Sequence, residues 1–163
     1  MNVKKLTAVG CLTSLALIIF VVEAQIPPLF IPGIKPGLSN IAVLVAMAYM
    51  GRREAFCVLV LRIILGSIFT GTPISFIFSI TGGLFAYAAM SALIGFFGKE
   101  KLWITSVIGA LFHNLGQLTA AYFVMGTAAV FGYAPFLAIA AVISGAFTGL
   151  AAQFTLRLLP KPK

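Results

Sequence analysis

The chain contains no aspartate, and its only acids are Glu23, Glu54 and Glu100. Prenyl diphosphate chemistry normally uses Asp-rich sites, because Mg²⁺ takes hard oxygen ligands. That machinery is missing. There is one histidine, His113, and the sequence offers no embedded acid to orient it as a hydrolase triad requires. Proton relays use chains of Asp, Glu and His, and here one His and one candidate acid make a thin case. No G-x-x-x-x-G-K-[ST] occurs, so the chain does not hydrolyse ATP through a P-loop. Two isolated cysteines, Cys11 and Cys57, form no metal-ligand pattern and read as small apolar residues. These absences point to a protein that is not an enzyme and that carries no metal and no cofactor.

Charge of any kind is scarce. Only 9% of residues are charged, against roughly 25% in a soluble domain. Hydrophobic residues make up 61% of the 163. The composition is that of a membrane protein, and no hydrophilic stretch is long enough for a soluble domain. One transmembrane domain, 1–163, is expected. The net charge of +8 does not indicate nucleic acid. The basic residues sit in short breaks between apolar runs, where topology signals sit. The first apolar run, Leu6 to Val22, exceeds the ~7–15 residues of a signal-peptide core and reads as a retained helix.

An all-α fold of six transmembrane helices is expected, at about 5–25, 37–51, 54–70, 74–97, 102–126 and 134–159. In that arrangement Lys4, Lys5, Arg52, Arg53, Lys99, Lys101, Arg157, Lys161 and Lys163 all fall on one side. The positive-inside rule makes that side, with both termini, cytoplasmic. Loops 25–36, 70–74 and 126–134 are then extracytoplasmic, with Lys35 the one basic residue among them. Small residues recur every four positions on three helices. They are Ala141, Gly145 and Gly149 on the last, Gly83, Tyr87, Ser91 and Gly95 on the fourth, and Gly10 and Ser14 on the first. Such stripes let helices approach closely in lipid; each serves either packing inside the bundle or docking of a partner.

Ionisable groups at membrane depth are usually functional. Arg62 lies eight residues into its helix, roughly 12 Å from the cytoplasmic end and near the middle of a ~30 Å core. Its intramembrane acidic partner can only be Glu23; otherwise it caps carbonyls, snorkels or lines a polar cavity. "HNLGQ" places His113 and Gln117 on one helical face, with Asn114 offset by one residue. These three either join helices or line a cavity. Four prolines crowd "PPLFIPGIKP" (27–36), an apolar loop that suits a cavity mouth better than open water. The helix after it is short, about 22 Å, and its first turn carries Ser39 and Asn40. Irregular backbone at that depth is tolerated where it lines a cavity. A positive helix N-terminus with Lys35 beside it would suit a carbonyl, carboxylate or phosphate. The candidate substrate-binding set is Glu23, Lys35, Asn40, Arg62, His113, Asn114 and Gln117, with 27–36 as a lid and Phe30, Phe76 and Tyr122 as stacking candidates.

"PGIKPGLSNI" (32–41), Arg62 with Gly66, "SITGGL" (79–84) with Met90, and "HNLGQ" (113–117) resemble the bacterial family called heptaprenyl diphosphate synthase component I, or Gx transporter family. That family is similar in size and helix count to the S components of energy-coupling-factor (ECF) vitamin transporters. The resemblance implies a substrate-binding subunit in the bacterial cell membrane, taking up a small cofactor-like molecule such as a vitamin, flavin or quinone/isoprenoid precursor. It implies a transmembrane coupling protein and cytoplasmic ATPases as partners, besides the lipid bilayer. Helix 1 departs from the alanine-x-x-x-alanine docking pattern of many S components: Ala16 is followed four positions later by Phe20. The alternative is a non-catalytic membrane subunit of a prenyl, quinone or redox assembly.

Overall fold

A computed structural model describes residues 3–25, 35–70 and 73–159. Every regular element among these residues is helical: α1 (Val3–Ala24), α2 (Asn40–Tyr49), α3 (Arg52–Thr70), α4 (Pro73–Phe97), α5 (Leu102–Met125) and α6 (Ala134–Leu158). A 3₁₀ turn, Lys99–Lys101, precedes α5, and another, Ala128–Tyr133, precedes α6. The expected lid, 27–36, lies outside the described residues except for its last two, Lys35 and Pro36.

All six expected helical segments are present, but they are not alike. Four are long and apolar enough to cross a membrane: α1, α4, and α5 and α6 taken with the turns before them. Helix α3 has 19 residues, enough for roughly 28 Å. It carries Arg52, Arg53, Glu54 and Arg62, and those charges keep it out of that set. Helix α2 has 10 residues, roughly 15 Å, half of a bilayer core. It is shorter than the sequence pattern indicates, because residues 37–39 form a turn instead of a first helical turn.

The shortness of α2 goes with its position. Its residues Ala42 to Ala48 are all buried, so it has no solvent or lipid face. A helix apolar on every side belongs inside a bundle. It packs against α1, α3, α4 and α6, and the main core forms around it from Val9, Ala16, Val58, Leu59, Ile63, Met90, Leu102 and Ala152. A second core joins α4, α5 and α6 through Phe78, Leu118, Ala121 and Leu137. The outward faces are apolar as well. Ile18, Ile68, Phe69, Phe123, Ile143, Phe147 and Phe154 are each more than 60% exposed, a surface suited to lipid and not to water.

Two of the three small-residue stripes are internal. A Cβ at Gly145 would lie 2.7 Å from the Val107 Cα of α5. Ser106 and Thr148 hydrogen-bond across the same contact at 2.8 Å. On α4, Gly83 faces Leu59 and Ile63 of α3, and the Tyr87 hydroxyl donates to the Arg52 carbonyl at 2.9 Å. The α1 stripe differs: Gly10 and Ser14 are exposed, and nothing lies within 4 Å of a Cβ built at Gly10.

Among the described residues, the basic side chains other than Lys35 and the buried Arg62 belong to one end of the bundle. Lys5 bridges to Glu54 at 2.8 Å, joining α1 to α3. Arg52 reaches beside Gly95 near the end of α4. Lys99, Lys101 and Arg157 border one groove with Glu100 and Gln153. Lys35 is at the other end, where α1 finishes and α4 begins.

Candidate functional site

The site forms where the end of α1, the turn before α2, and the inner faces of α3, α4 and α5 meet. Glu23 lies on the last turn of α1 and faces inward. Its Oε1 accepts the backbone N–H groups of Gly37 and, at 3.0 Å, Leu38. These amides belong to the turn that opens α2, and α2 has no side-chain cap of its own. The carboxylate therefore fixes the turn just ahead of the helix and lies toward the positive end of its dipole. The two amides before the N-cap Ser39 are thereby taken by the chain's own carboxylate.

Gly37 makes the turn possible in two ways. Its φ is +79°, and a Cβ there would sit 2.8 Å from the His113 ring. Only glycine satisfies both constraints without displacing the imidazole.

Arg62 approaches the same turn from α3. One terminal nitrogen donates to Ser39 Oγ and the other to Asn40 Oδ1, the latter at 3.0 Å. Among the described residues Arg62 and Glu23 form no ion pair. Asn40 continues the chain of contacts to α5, its amide nitrogen lying 3.3 Å from His113 Nδ1. The His113 ring in turn rests against Gly82 of α4, where a Cβ would come within 2.8 Å.

Lys35 covers the outer edge. Its ammonium donates to Ser75 Oγ at 3.1 Å and lies 3.9 Å from the Phe20 ring centroid, a cation–π contact. The side chain is half-buried, and burial pulls its pKa below the ordinary lysine range, with Glu23 opposing that shift.

Glu23, Lys35, Arg62, His113 and Gln117 thus border a single cavity, with Phe20, Gly37, Ser39 and Ser79. Asn40 sits at its edge through Arg62 and His113. Asn114 does not join them. Its amide donates to the Leu137 carbonyl at 2.7 Å and ties α5 to α6. Ser39, Ser79 and Phe20 were not among the expected site residues. The signal for Ser79 is its spacing of one turn from Ser75, with Gly82 and Gly83 following.

The cavity measures about 10 Å³, room for one water. Among the described residues, one polar atom on each of three of these side chains has no hydrogen-bond partner: Glu23 Oε2, Arg62 Nε and Gln117 Oε1. Their residues are each 2% exposed. Buried polar groups are nearly always satisfied; four other unpartnered atoms, on Thr13, Thr105, Asn114 and Gln153, lie on residues away from this cavity, and these three stand out because their residues border one space. The larger hollow, about 760 Å³ on the outer faces of α4 and α5, is lined by Leu84, Phe85, Ala88, Leu93, Phe112 and other apolar groups. It holds no polar group that would fix a ligand's orientation. Among the described residues no group of His, Cys, Asp and Glu is placed to hold a metal.

A family model described as heptaprenyl diphosphate synthase component I matches residues 12–155. The chain belongs to this family. The matched span of this component I chain includes every residue around the cavity, from Phe20 to Gln117. No curated protein and no solved structure matches it. The family description speaks of one component, which implies a partner component. With four long apolar helices, component I is a membrane-associated subunit.

Proposed function

We propose that this chain is a substrate-binding membrane subunit of the S-component kind. It receives a small cofactor-like molecule, such as a vitamin, flavin or quinone/isoprenoid precursor, at the Glu23–Arg62–Gln117 cavity. Partner ATPases supply the energy through a transmembrane coupling protein. The observation that carries the reading is the set of free, buried hydrogen-bonding atoms converging on one cavity from α1, α3 and α5. Such groups are expensive in an apolar bundle unless they have a task. In this reading the six helices lie in the bacterial cell membrane with both termini cytoplasmic, and the gathering of basic residues at one end supports that orientation. The chain is not an enzyme in this reading; it binds and hands over.

The family description favours a second reading, a non-catalytic membrane subunit of a prenyl or quinone assembly. Mass spectrometry of small molecules released from the gently purified full-length chain separates the two. A bound molecule that is lost in both Asn40→Ala and Gln117→Leu, with membrane insertion and cooperative melting kept, is the expected result. No bound molecule, or the same molecule retained in both variants, overturns the proposal. Recovery of a prenyl-transferring subunit with the chain, and of no small molecule, supports the second reading.

A further inference from the structure

We infer that the group received at the base of this cavity is a neutral carboxamide or urea-type group, not a carboxylate or phosphate. The inference rests on the ligand-binding reading above and sharpens it.

Each group an anion would seek already has a partner in the chain. The amides that open α2 are bound by Glu23 Oε1. The terminal nitrogens of Arg62, the fork that clamps carboxylates and phosphates, are engaged with Ser39 and Asn40. The Lys35 ammonium is engaged with Ser75 and Phe20. The buried atoms here left without any partner among the described residues are Arg62 Nε, Glu23 Oε2 and Gln117 Oε1, and two of the three are acceptors. An incoming carboxylate or phosphate dianion brings no N–H to those acceptors and sets a second negative charge against Glu23. A carboxamide supplies the complement: its NH₂ donates twice and its C=O accepts once. A urea or ureide edge offers the same pattern.

Size requires one movement. A carboxamide is larger than the one-water space of about 10 Å³. The wall able to yield is Lys35, which is half-buried and held among the described residues by one hydrogen bond to the Ser75 hydroxyl and a cation–π contact with Phe20. The other described walls are the turn at Gly37 and Ser39 and the faces of α1, α3, α4 and α5.

Benzamide and benzoate, which have the same shape and differ in charge, provide the test. The full-length chain is purified in detergent and its thermal unfolding followed as each is titrated. Benzamide is expected to raise the melting temperature saturably and to bind about tenfold or more tighter than benzoate, the factor one hydrogen bond to a charged acceptor supplies. Gln117→Leu removes one acceptor and is expected to weaken benzamide about tenfold while leaving benzoate unchanged. Glu23→Gln is expected to erase the preference for the neutral fragment; should that variant fail to fold, Gln117→Leu still decides. Equal or stronger stabilisation by benzoate, or no response to benzamide, overturns the inference. If benzamide fails while purified protein carries a small molecule, only this inference falls. If both are absent, the ligand-binding reading falls with it.

Discussion

Glu23 and Arg62, opposite charges buried in one bundle, hold one four-residue turn, two residues each, without forming an ion pair. Glu23 takes the backbone amides of Gly37 and Leu38, and Arg62 takes the side chains of Ser39 and Asn40. Each charge is thus spent on the turn that opens α2, and each residue borders the cavity and keeps one buried atom without a partner among the described residues.

Removing Arg62 therefore does more than remove a charge. Arg62→Ala deletes two hydrogen bonds and leaves Glu23 as the lone buried charge at this depth, with about 3 kcal/mol or more of lost stability expected. Arg62→Lys restores the charge but not the fork, and is expected to recover less than half of that loss. Denaturant unfolding in mixed micelles measures both.

The Glu23 variants separate geometry from charge. Glu23→Ala leaves the Gly37 and Leu38 amides without an acceptor, and a loss of about 1–2 kcal/mol is expected, as for a deleted helix cap. Glu23→Gln keeps an acceptor oxygen and is expected to lose less. Equal losses in the two variants would show that the charge, not the capping contact, holds the turn.

The glycines offer a graded series. Gly82→Ala drives a methyl to within 2.8 Å of the His113 ring, and about 1–3 kcal/mol of destabilisation is expected from overpacking. Gly37→Ala adds backbone strain, φ being +79°, and is expected to cost more. Gly10→Ala meets nothing within 4 Å and is expected to be neutral or slightly stabilising through helix propensity. Thermal melts of the three variants check the order.

The one salt bridge among the described residues, Lys5–Glu54, is a poor place to look for stability. Lys5 is 51% exposed, and exposed pairs contribute roughly 0–1 kcal/mol. Lys5→Ala is expected to shift the melting temperature by less than any of the buried variants above.

Much of this was legible in the chain before its structure. Long apolar runs place the helices. Arg62, His113 and Gln117 stand out because polar groups are rare in such runs, and Glu23 because it is the one acid near them. What could not be read is which group each would meet. Opposite charges suggest a pair, but the turn at 37–40 offers donors and acceptors at shorter reach, and the charges settle on those. Asn114 follows His113 by one residue, which rotates it about 100° round the helix, and that face belongs to α6. Ser79 was overlooked because a serine in a helix can satisfy itself on its own backbone and so gives little warning. The sequence pattern overstates α2 because Pro36–Gly37 fits a tight turn and a helix start alike, and only the structure shows Gly37 at φ +79° in a turn.

The short, fully enclosed α2 also bears on how the protein is made. Ten residues are too few for a bilayer to retain as an independent span. While α1 stands alone in the membrane, α2 has no surface to leave water for. It becomes stable there only when α1, α3, α4 and α6 surround it. A chain cut short before α6 would lack one wall of that enclosure, and the turn that carries Gly37 to Asn40 is expected to lose its place against α3 and α5.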